Sequence, residues 1–381
     1  MKATIVGGGI AGLTVAVGLE KYGFDYQLFE ATSEFKTAGA GIILSPNALF
    51  VLDRLGLYDE IAEAGHPLRF FNVTDEEGEL IQKNDTTYSL HGKTYEAIGI
   101  HRATLQKLLL SNIDRPKLNL GHSLEKIDLN QSSLHFHNGK VVKSDLILGC
   151  DGIHSATRKV IFPEVSLRYS GQTCWRGIAQ LSMEDDQLPQ QAEMWGSGVR
   201  FGFVPISKEQ VYWYATAVTP AGQKDQSSAQ TKQNLASLFK NFAPHVLKII
   251  DATENTMRHD LIDFPPLESW SKRNILLVGD AAHAMTPNMG QGAAQSIEDA
   301  WSLVNVLQMH TDLQDVFTAY ENARLEKANS VNKLSWRIGQ MTNPTNRLIC
   351  NMRNRLLRFA PQAAAEKQRA KLFFVPSYSA T

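Results

Sequence analysis

Only three cysteines occur in the 381 residues: Cys150, Cys174 and Cys350, far apart and with no CxxC spacing. That pattern argues against a disulfide framework or a zinc site and fits a chain kept in a reducing cytoplasm. Net charge is scarce too, since 38 Lys and Arg against 39 Asp and Glu leave a formal −1. No whole-protein field favours nucleic acid or an anionic surface. No run of about 18 uncharged apolar residues occurs, so no spanning helix is expected. The apolar start, residues 1–19, has one Lys before it and no small-residue cleavage site, so it is not read as a secretory leader. There is no GxSxG to make a hydrolase nucleophile. Repeats and low-complexity segments are missing as well. What is present is 43% hydrophobic and 20% charged, an ordinary globular composition of a length for one large domain or two.

The first thirty residues read as a βαβ unit. Ala3-Thr4-Ile5-Val6 is a short buried strand, residues 10–22 have helical character, Gly23 sits where a C′ glycine ends a helix, and residues 25–30 form a second strand. Ser45-Pro46-Asn47 starts a helix that Gly56 closes. Residues 68–73 and 80–83 flank the turn Asp75-Glu76-Glu77-Gly78, a hairpin, and His101-Arg102-Ala103-Thr104 begins another helix. Residues 133–137 and 140–142 flank Asn138-Gly139, the dipeptide of a type I′ turn. Leu146-Ile147-Leu148 is buried-strand material leading into Gly149-Cys150-Asp151-Gly152.

Residues 171–263 change character. Segments 172–181, 193–195, 199–204 and 210–218 are β-rich and hold Trp175, Trp195 and Trp213, with a helix expected near 231–242. This reads as a mostly antiparallel sheet inserted in an α/β frame. After Ser271 the α/β pattern resumes, two long helices are expected over 293–309 and 313–341, and the tail from Asn343 reads as helical and basic, with a solvated helix face expected and contact with a membrane or partner as the alternative.

The motif Gly7-Gly8-Gly9-Ile10-Ala11-Gly12 is a GxGxxG between strand and helix. Gly7 permits the tight turn, Gly9 lets a pyrophosphate approach the backbone, and Gly12 lets helix pack on strand. Free N–H groups at the helix start then bind phosphate. Glu30, eighteen residues after Gly12, ends the second strand where a carboxylate can bind a ribose hydroxyl pair. This unit alone does not separate NAD from FAD.

Two further stretches do so by resemblance. Residues 149–158, Gly-Cys-Asp-Gly-Ile-His-Ser-Ala-Thr-Arg, resemble the "DG" fingerprint of the single-component flavoprotein aromatic hydroxylases, the class of p-hydroxybenzoate, salicylate and urate hydroxylases. Gly279-Asp280-Ala281-Ala282-His283, with Pro287 and Gly290-Gln291-Gly292, resembles their second FAD motif. The resemblance covers residues 1–330. It implies an α/β fold: a Rossmann-like FAD-binding domain with an inserted antiparallel β-sheet substrate domain and C-terminal helices. The expected division is 1–72, 99–171 and 271–331 for FAD, 73–98 and 172–270 for substrate, and 332–381 as a C-terminal helical segment.

Carried over by position, the resemblance implies FAD contacts from Gly7, Gly9, Ile10, Ala11, Gly12, Glu30, Ala31, Arg102, Leu124, Asp151, Asp280, Pro287, Gly290, Gln291 and Gly292. Gly39-Ala40-Gly41-Ile42 matches the segment passing near the flavin ring, and Asp151 belongs to a motif also tied to NAD(P)H. A helix starting near Gly290 would point its positive end at the flavin edge where charge develops on reduction. His283 has Pro287, not a second ligand, four residues on, and is read as structural; no metal site is expected.

The implied activity is hydroxylation of a small aromatic or heteroaromatic substrate with FAD, NADH or NADPH, and O2, through a flavin hydroperoxide. On the substrate side Trp175-Arg176-Gly177 is similar to a "WRG" in several members of the class. Strand alternation lets Arg200 face the pocket with Gly202 and Val204, or Tyr212 with Tyr214. Arg200 and Tyr212 are the candidate catalytic residues, and Arg200, Tyr212, Tyr214 and Pro287 the candidate substrate contacts. A catalytic base is not found by motif. The rivals are an oxidoreductase on the same fold that uses no oxygen, a monooxygenase for a polyene or antibiotic scaffold, and an NAD-binding regulatory protein using only the first βαβ unit. The halogenase motif WxWxIP is missing.

Overall fold

The structure is a computed structural model that describes residues 1–35, 40–182, 191–376 and 378. One sheet has the strand order Leu118–Asn119, Asp25–Phe29, Lys2–Val6, Leu146–Gly149, Ile275–Leu277, Ser271–Lys272, parallel except for the last. Its central strands read as unbroken apolar runs because both faces are covered, and Leu146 to Leu148 and Ile275 to Leu277 are fully buried. The chain leaves this sheet after Gly149 and returns only at Ser271, so everything between is inserted between neighbouring strands. On one face the Ile10–Lys21 helix packs against Gly292–Met309. Gly18 makes that approach possible, since a Cβ there would lie 2.7 Å from Val304 Cγ2.

The second sheet has seven strands in the order Thr253–Asp263, Arg168–Gln180, Gln210–Val218, Val199–Pro205, Ala192–Trp195, Phe70–Asp75, Leu80–Asp85. All neighbours are antiparallel except Ala192–Trp195 with Phe70–Asp75. The expected hairpin around residues 75–78 therefore supplies two strands to the inserted sheet. One face carries Trp213, Phe201 and Phe203, which pack under the helices Ser228–Leu238 and His245–Asp251. The register Arg176↔Tyr214↔Gly202↔Glu193 fixes the opposite face. Arg200, Gly202, Val204, Tyr212 and Tyr214 all lie on that face, so the two alternatives of the sequence reading are one surface.

A small sheet of Gly41–Leu44, Ile98–His101 and His66–Pro67 meets this face. Gly41 lies against the Tyr212 ring, and a Cβ at Gly99 would stand 2.3 Å from the Pro205 carbonyl oxygen. Two local expectations are corrected. The Asn138-Gly139 turn is not type I′: Gly139 alone has positive φ (+83°), and its N–H donates to Phe136 O at 2.9 Å, a type I turn closed by a left-handed glycine. Strand Thr253–Asp263 is an addition. It is polar because it is a sheet edge, half exposed along most of its length, and so lacks the apolar signal of an inner strand. The long helices are as expected, at Gly292–Met309 and Leu313–Thr342, followed by Arg347–Arg358 and Gln362–Phe373.

Candidate cofactor and substrate site

The glycine loop is shaped by its own backbone. Gly7 has φ +105°, and a Cβ there would fall 2.4 Å from Cys150 O. A Cβ on Gly12 would fall 1.9 Å from Gly7 O. A Cβ on Gly9 would meet nothing within 4 Å. Two glycines are thus demanded by the protein's own packing, and the third borders open space. Gly9 is also the N-cap of Ile10–Lys21, with no side-chain cap, so the first amides of that helix are available to an anion. Ile10 and Ala11 form its first turn. Glu30 closes the loop from the second strand, where its carboxylate accepts from Gly8 N at 2.6 Å and from Thr32 N at 2.9 Å. Ala31 follows at the surface, and Leu124 opens the neighbouring hairpin.

Asp280 follows Gly279, where a Cβ would lie 2.8 Å from Ala11 Cβ at the start of the Ile10–Lys21 helix. It is exposed, yet protein walls the cleft around it. That desolvation raises its pKa, against the pull of His283, Arg102 and Arg158. Gly292 borders it, with a Cβ position 3.9 Å from Asp280 Oδ1, and the helix that Gly292 begins has no side-chain cap either. Pro287 and Gly290 are exposed in the preceding turn, where Gly290 has φ +62° and open space at its Cβ. Arg102, exposed at the start of Arg102–Ser111, acts electrostatically on both Asp280 and Tyr212.

The side chains of Asp151, Gln291 and His283 are engaged with the protein itself. Asp151 orders its own loop, accepting from Ser155 Oγ at 2.5 Å and from Thr157 N at 2.9 Å and Oγ1 at 3.0 Å. That loop in turn holds Arg158, which is buried over the Phe264 ring and donates to Ile153 O and, at 3.1 Å, to Ala281 O beside Asp280. Gln291 points its side chain inward, giving Ser45 Oγ a hydrogen bond at 3.0 Å and accepting from Asn47 Nδ2 at 3.1 Å. His283 is fully buried, with Nε2 2.5 Å from Asp299 Oδ2 and its ring against Trp270. Gly39 lies outside the described residues.

Arg200 is buried and already engaged. It donates to Glu193 at 3.0 Å, Thr216 at 3.2 Å, Gln172 at 3.3 Å and Asn288 at 2.6 Å. It therefore ties the inserted sheet to the turn carrying Pro287 instead of offering a free cation. Tyr214 donates its hydroxyl to the same Glu193, and burial, then Glu193, pushes its pKa far up. Tyr212 is nearly buried, and its pKa is pushed up to about 12 by burial, partly offset by Arg176 and Arg102. It stays protonated across the physiological range and so serves as a hydrogen-bond donor rather than a base.

Arg176 was not among the expected site residues. It shares the Tyr212 and Tyr214 face, acts electrostatically on Tyr212, Tyr214 and Cys174, and has a buried Nε with no hydrogen-bond partner among the described residues. Its WRG tripeptide was visible in the sequence, but its direction needed the strand register.

Residues 1–335 match the family model described as "FAD binding domain". The chain is 35% identical over 381 residues to "Aurachin C monooxygenase/isomerase" of Stigmatella aurantiaca, covering 99% of each. It is 33% identical to "2-heptyl-3-hydroxy-4(1H)-quinolone synthase" of Pseudomonas aeruginosa (strain UCBPP-PA14), covering 98% of each. Among solved structures it is similar to Klebsiella pneumoniae HpxO complexed with FAD and uric acid, at TM-score 0.86 and 25% identity, covering 98% of this chain and 96% of that one.

Proposed function

Because the chain belongs to the FAD-binding-domain family of flavoprotein aromatic hydroxylases, we propose that it hydroxylates a 4-quinolone-like heteroaromatic ring carrying an apolar substituent. It is an FAD-dependent monooxygenase that takes its electrons from NADH or NADPH and one oxygen atom from O2. The residues present fit FAD. The observation that carries the reading is the pairing of open Gly9, at an uncapped helix start, with Asp280 and uncapped Gly292 across the cleft. The helix amides after Gly9 would hold the pyrophosphate, Glu30 the adenosine ribose, Asp280 and Arg102 the connecting chain, and the Gly290 to Gly292 backbone the flavin edge. FAD, when bound, supplies the electron storage and oxygen activation that no side chain can.

On this reading the inserted sheet covers that site and turns Arg176 and Tyr212 toward it, which the packing of Tyr212 on Gly41 and its electrostatic link to Arg102 support. A guanidinium beside the carbonyl oxygen of a quinolone favours the ring deprotonated at nitrogen, whose carbon next to the carbonyl is the nucleophile. Tyr212 donates to the same oxygen. The sheet excludes water from the reacting atoms. Arg200 is a positioning residue, holding Asn288 and Glu193 in place. The two relatives matched along almost their whole length support the quinolone reading, since one is named for a 3-hydroxy-4-quinolone. The three cysteines, all free and buried, fit a reducing cytoplasm. No helix among the described residues is long and apolar enough to cross a membrane.

Arg176→Met is expected to lower kcat/KM about 30-fold, the worth of one charge-assisted hydrogen bond of about 2 kcal/mol. FAD content should stay unchanged, and Arg176→Lys should recover part of the loss. An unchanged kcat/KM would remove Arg176 from the site. The substrate class is tested by adding 2-alkyl-4-quinolones, urate and hydroxybenzoates separately to the FAD-loaded protein. Alkylquinolones should stimulate NADH or NADPH oxidation and be hydroxylated. Coupled turnover of only the small acids would overturn the substrate assignment while leaving the monooxygenase in place.

A further inference from the structure

Helix Arg347–Arg358 turns its apolar side outward. Leu348 is 79% exposed, Met352 60%, Leu356 68%, and Phe359, just past the helix, 78%. Their spacing of four, four and three residues makes one continuous stripe, with Ile349 at its border. Of the basic residues expected on a solvated face, Arg347, Arg355 and Arg358 are exposed, whereas Arg353 faces the protein with Asn354 and Cys350. The inner side is firmly held. Arg353 stacks over the Trp195 ring at 5.0 Å, Cys350 Sγ donates to Pro344 O at 3.2 Å, and Leu357 packs with Trp195, Val73 and Ile81. Arg358 bridges to Asp75 at 2.8 Å, and Arg347 to Glu76 at 3.5 Å. The stripe is thus a fixed surface, not a loose tail.

The tail it belongs to is basic, although the hairpin beneath it is acidic and pairs Arg347 with Glu76 and Glu77 and Arg358 with Asp75 and Glu79. Residues 343–381 contain seven Lys and Arg against one Glu, in a chain of net charge −1. Arg355 is exposed beside the stripe and has no ionic partner among the described residues. An apolar face flanked by cations on a helix of otherwise polar composition is the pattern of an interfacial helix.

We propose that this helix docks the protein on an anionic bilayer surface, with Leu348, Met352, Leu356 and Phe359 entering the boundary between headgroups and acyl chains and Arg355 meeting lipid phosphate. The inner side of this helix connects to the site through Arg353, Trp195 and Glu193. Trp195, beneath Arg353, donates to Glu193 at 2.6 Å, the carboxylate that also holds Arg200 and Tyr214. The site would then sit close to the membrane, where a ring with an apolar substituent partitions. The docking goes beyond the substrate assignment and stands without it.

The test uses the full-length, FAD-loaded protein sedimented with vesicles of phosphatidylcholine alone and of phosphatidylcholine with phosphatidylglycerol. The protein should sediment with the anionic vesicles and much less with the neutral ones. Leu356→Glu/Phe359→Glu should abolish the binding, and Arg355→Ala should weaken it about fivefold. Both variants should keep their flavin spectrum and their oxidation of NADH or NADPH in detergent-free solution. Met309→Glu, at an apolar residue 51% exposed elsewhere, should change nothing. Failure of the native protein to bind anionic vesicles, or binding unchanged by the double substitution, overturns the proposal. So does a stable dimer that the double substitution dissociates, because the stripe would then be covered by a second copy.

Discussion

Gly12→Ala is expected to leave purification colourless. The new Cβ would fall 1.9 Å from Gly7 O and 3.2 Å from Cys150 Cβ, and neither neighbour can give way cheaply. Gly7 O belongs to the turn itself, and Cys150 follows a fully buried strand. The helix must slide or the turn must open, a strain of about 3 kcal/mol that corresponds to about 100-fold weaker FAD binding. Gly9→Ala makes the contrast. Nothing lies within 4 Å of its Cβ, so the folded protein should keep its melting temperature. Its FAD affinity should still fall, because the methyl group occupies the space that a pyrophosphate would take. The comparison is made by titrating FAD into both apoproteins while following flavin fluorescence. Equal FAD affinity of Gly9→Ala and the native protein would remove the phosphate from this loop.

Arg324→Met should cost about 3–5 kcal/mol of stability, measured as the shift in urea midpoint multiplied by the slope of the transition. Arg324 is fully buried and donates to Asp299 at 2.8 Å, Glu298 at 2.6 Å and Gln295 Oε1 at 2.8 Å. Methionine fills similar space but strands the two carboxylates. Lys327 still reaches Glu298 at 2.7 Å, so Asp299 bears most of the loss. The effect should travel to the cofactor. Asp299 accepts from Gly279 N at 2.9 Å and holds His283, the two ends of the short turn that carries Asp280. FAD affinity should therefore fall together with stability. A variant as stable as the native protein would mean that the buried network contributes nothing.

The same network has a pH signature. Burial raises the pKa of Asp299, but His283 and Arg324 outweigh it and hold the group down to about 2, below its ordinary 3.8. The folded state thus binds fewer protons than the unfolded one, and stability rises with pH across that interval. This contribution, about 2 kcal/mol, is complete above pH 4 and is lost as the pH falls toward 2. Asp299→Asn should flatten stability against pH in that window. An unchanged slope would show that Asp299 does not titrate there.

What the sequence disclosed follows from where each signal originates. Gly7, Gly9 and Gly12 were legible because backbone sterics demand them locally, and the structure finds a different crowding at each. The long helices and the inner strands were legible from periodicity. Thr253–Asp263 was not, since an edge strand has no buried face to mark it. Arg176 was not, since the direction of a strand residue depends on a register set by partners up to about eighty residues away. The outward apolar stripe of residues 348–359 was not legible, because which side of that helix turns inward is decided by Trp195 and the hairpin it lies on. Asp151 and Gln291 sit at their motif positions, and their side chains hydrogen-bond to the protein, which their motif positions alone did not disclose.

The central claim is that this cleft binds FAD and inserts one atom of O2 into a heteroaromatic ring. The most direct measurement combines the absorption spectrum of the purified protein with product mass under 18O2, using NADH or NADPH and a 2-alkyl-4-quinolone. The account predicts a yellow protein with a flavin spectrum, substrate-stimulated oxidation of the nicotinamide, and a product heavier by one 18O atom. A colourless protein that takes up no added FAD would contradict it. So would a flavin-loaded protein that turns all consumed oxygen into hydrogen peroxide with every aromatic substrate offered.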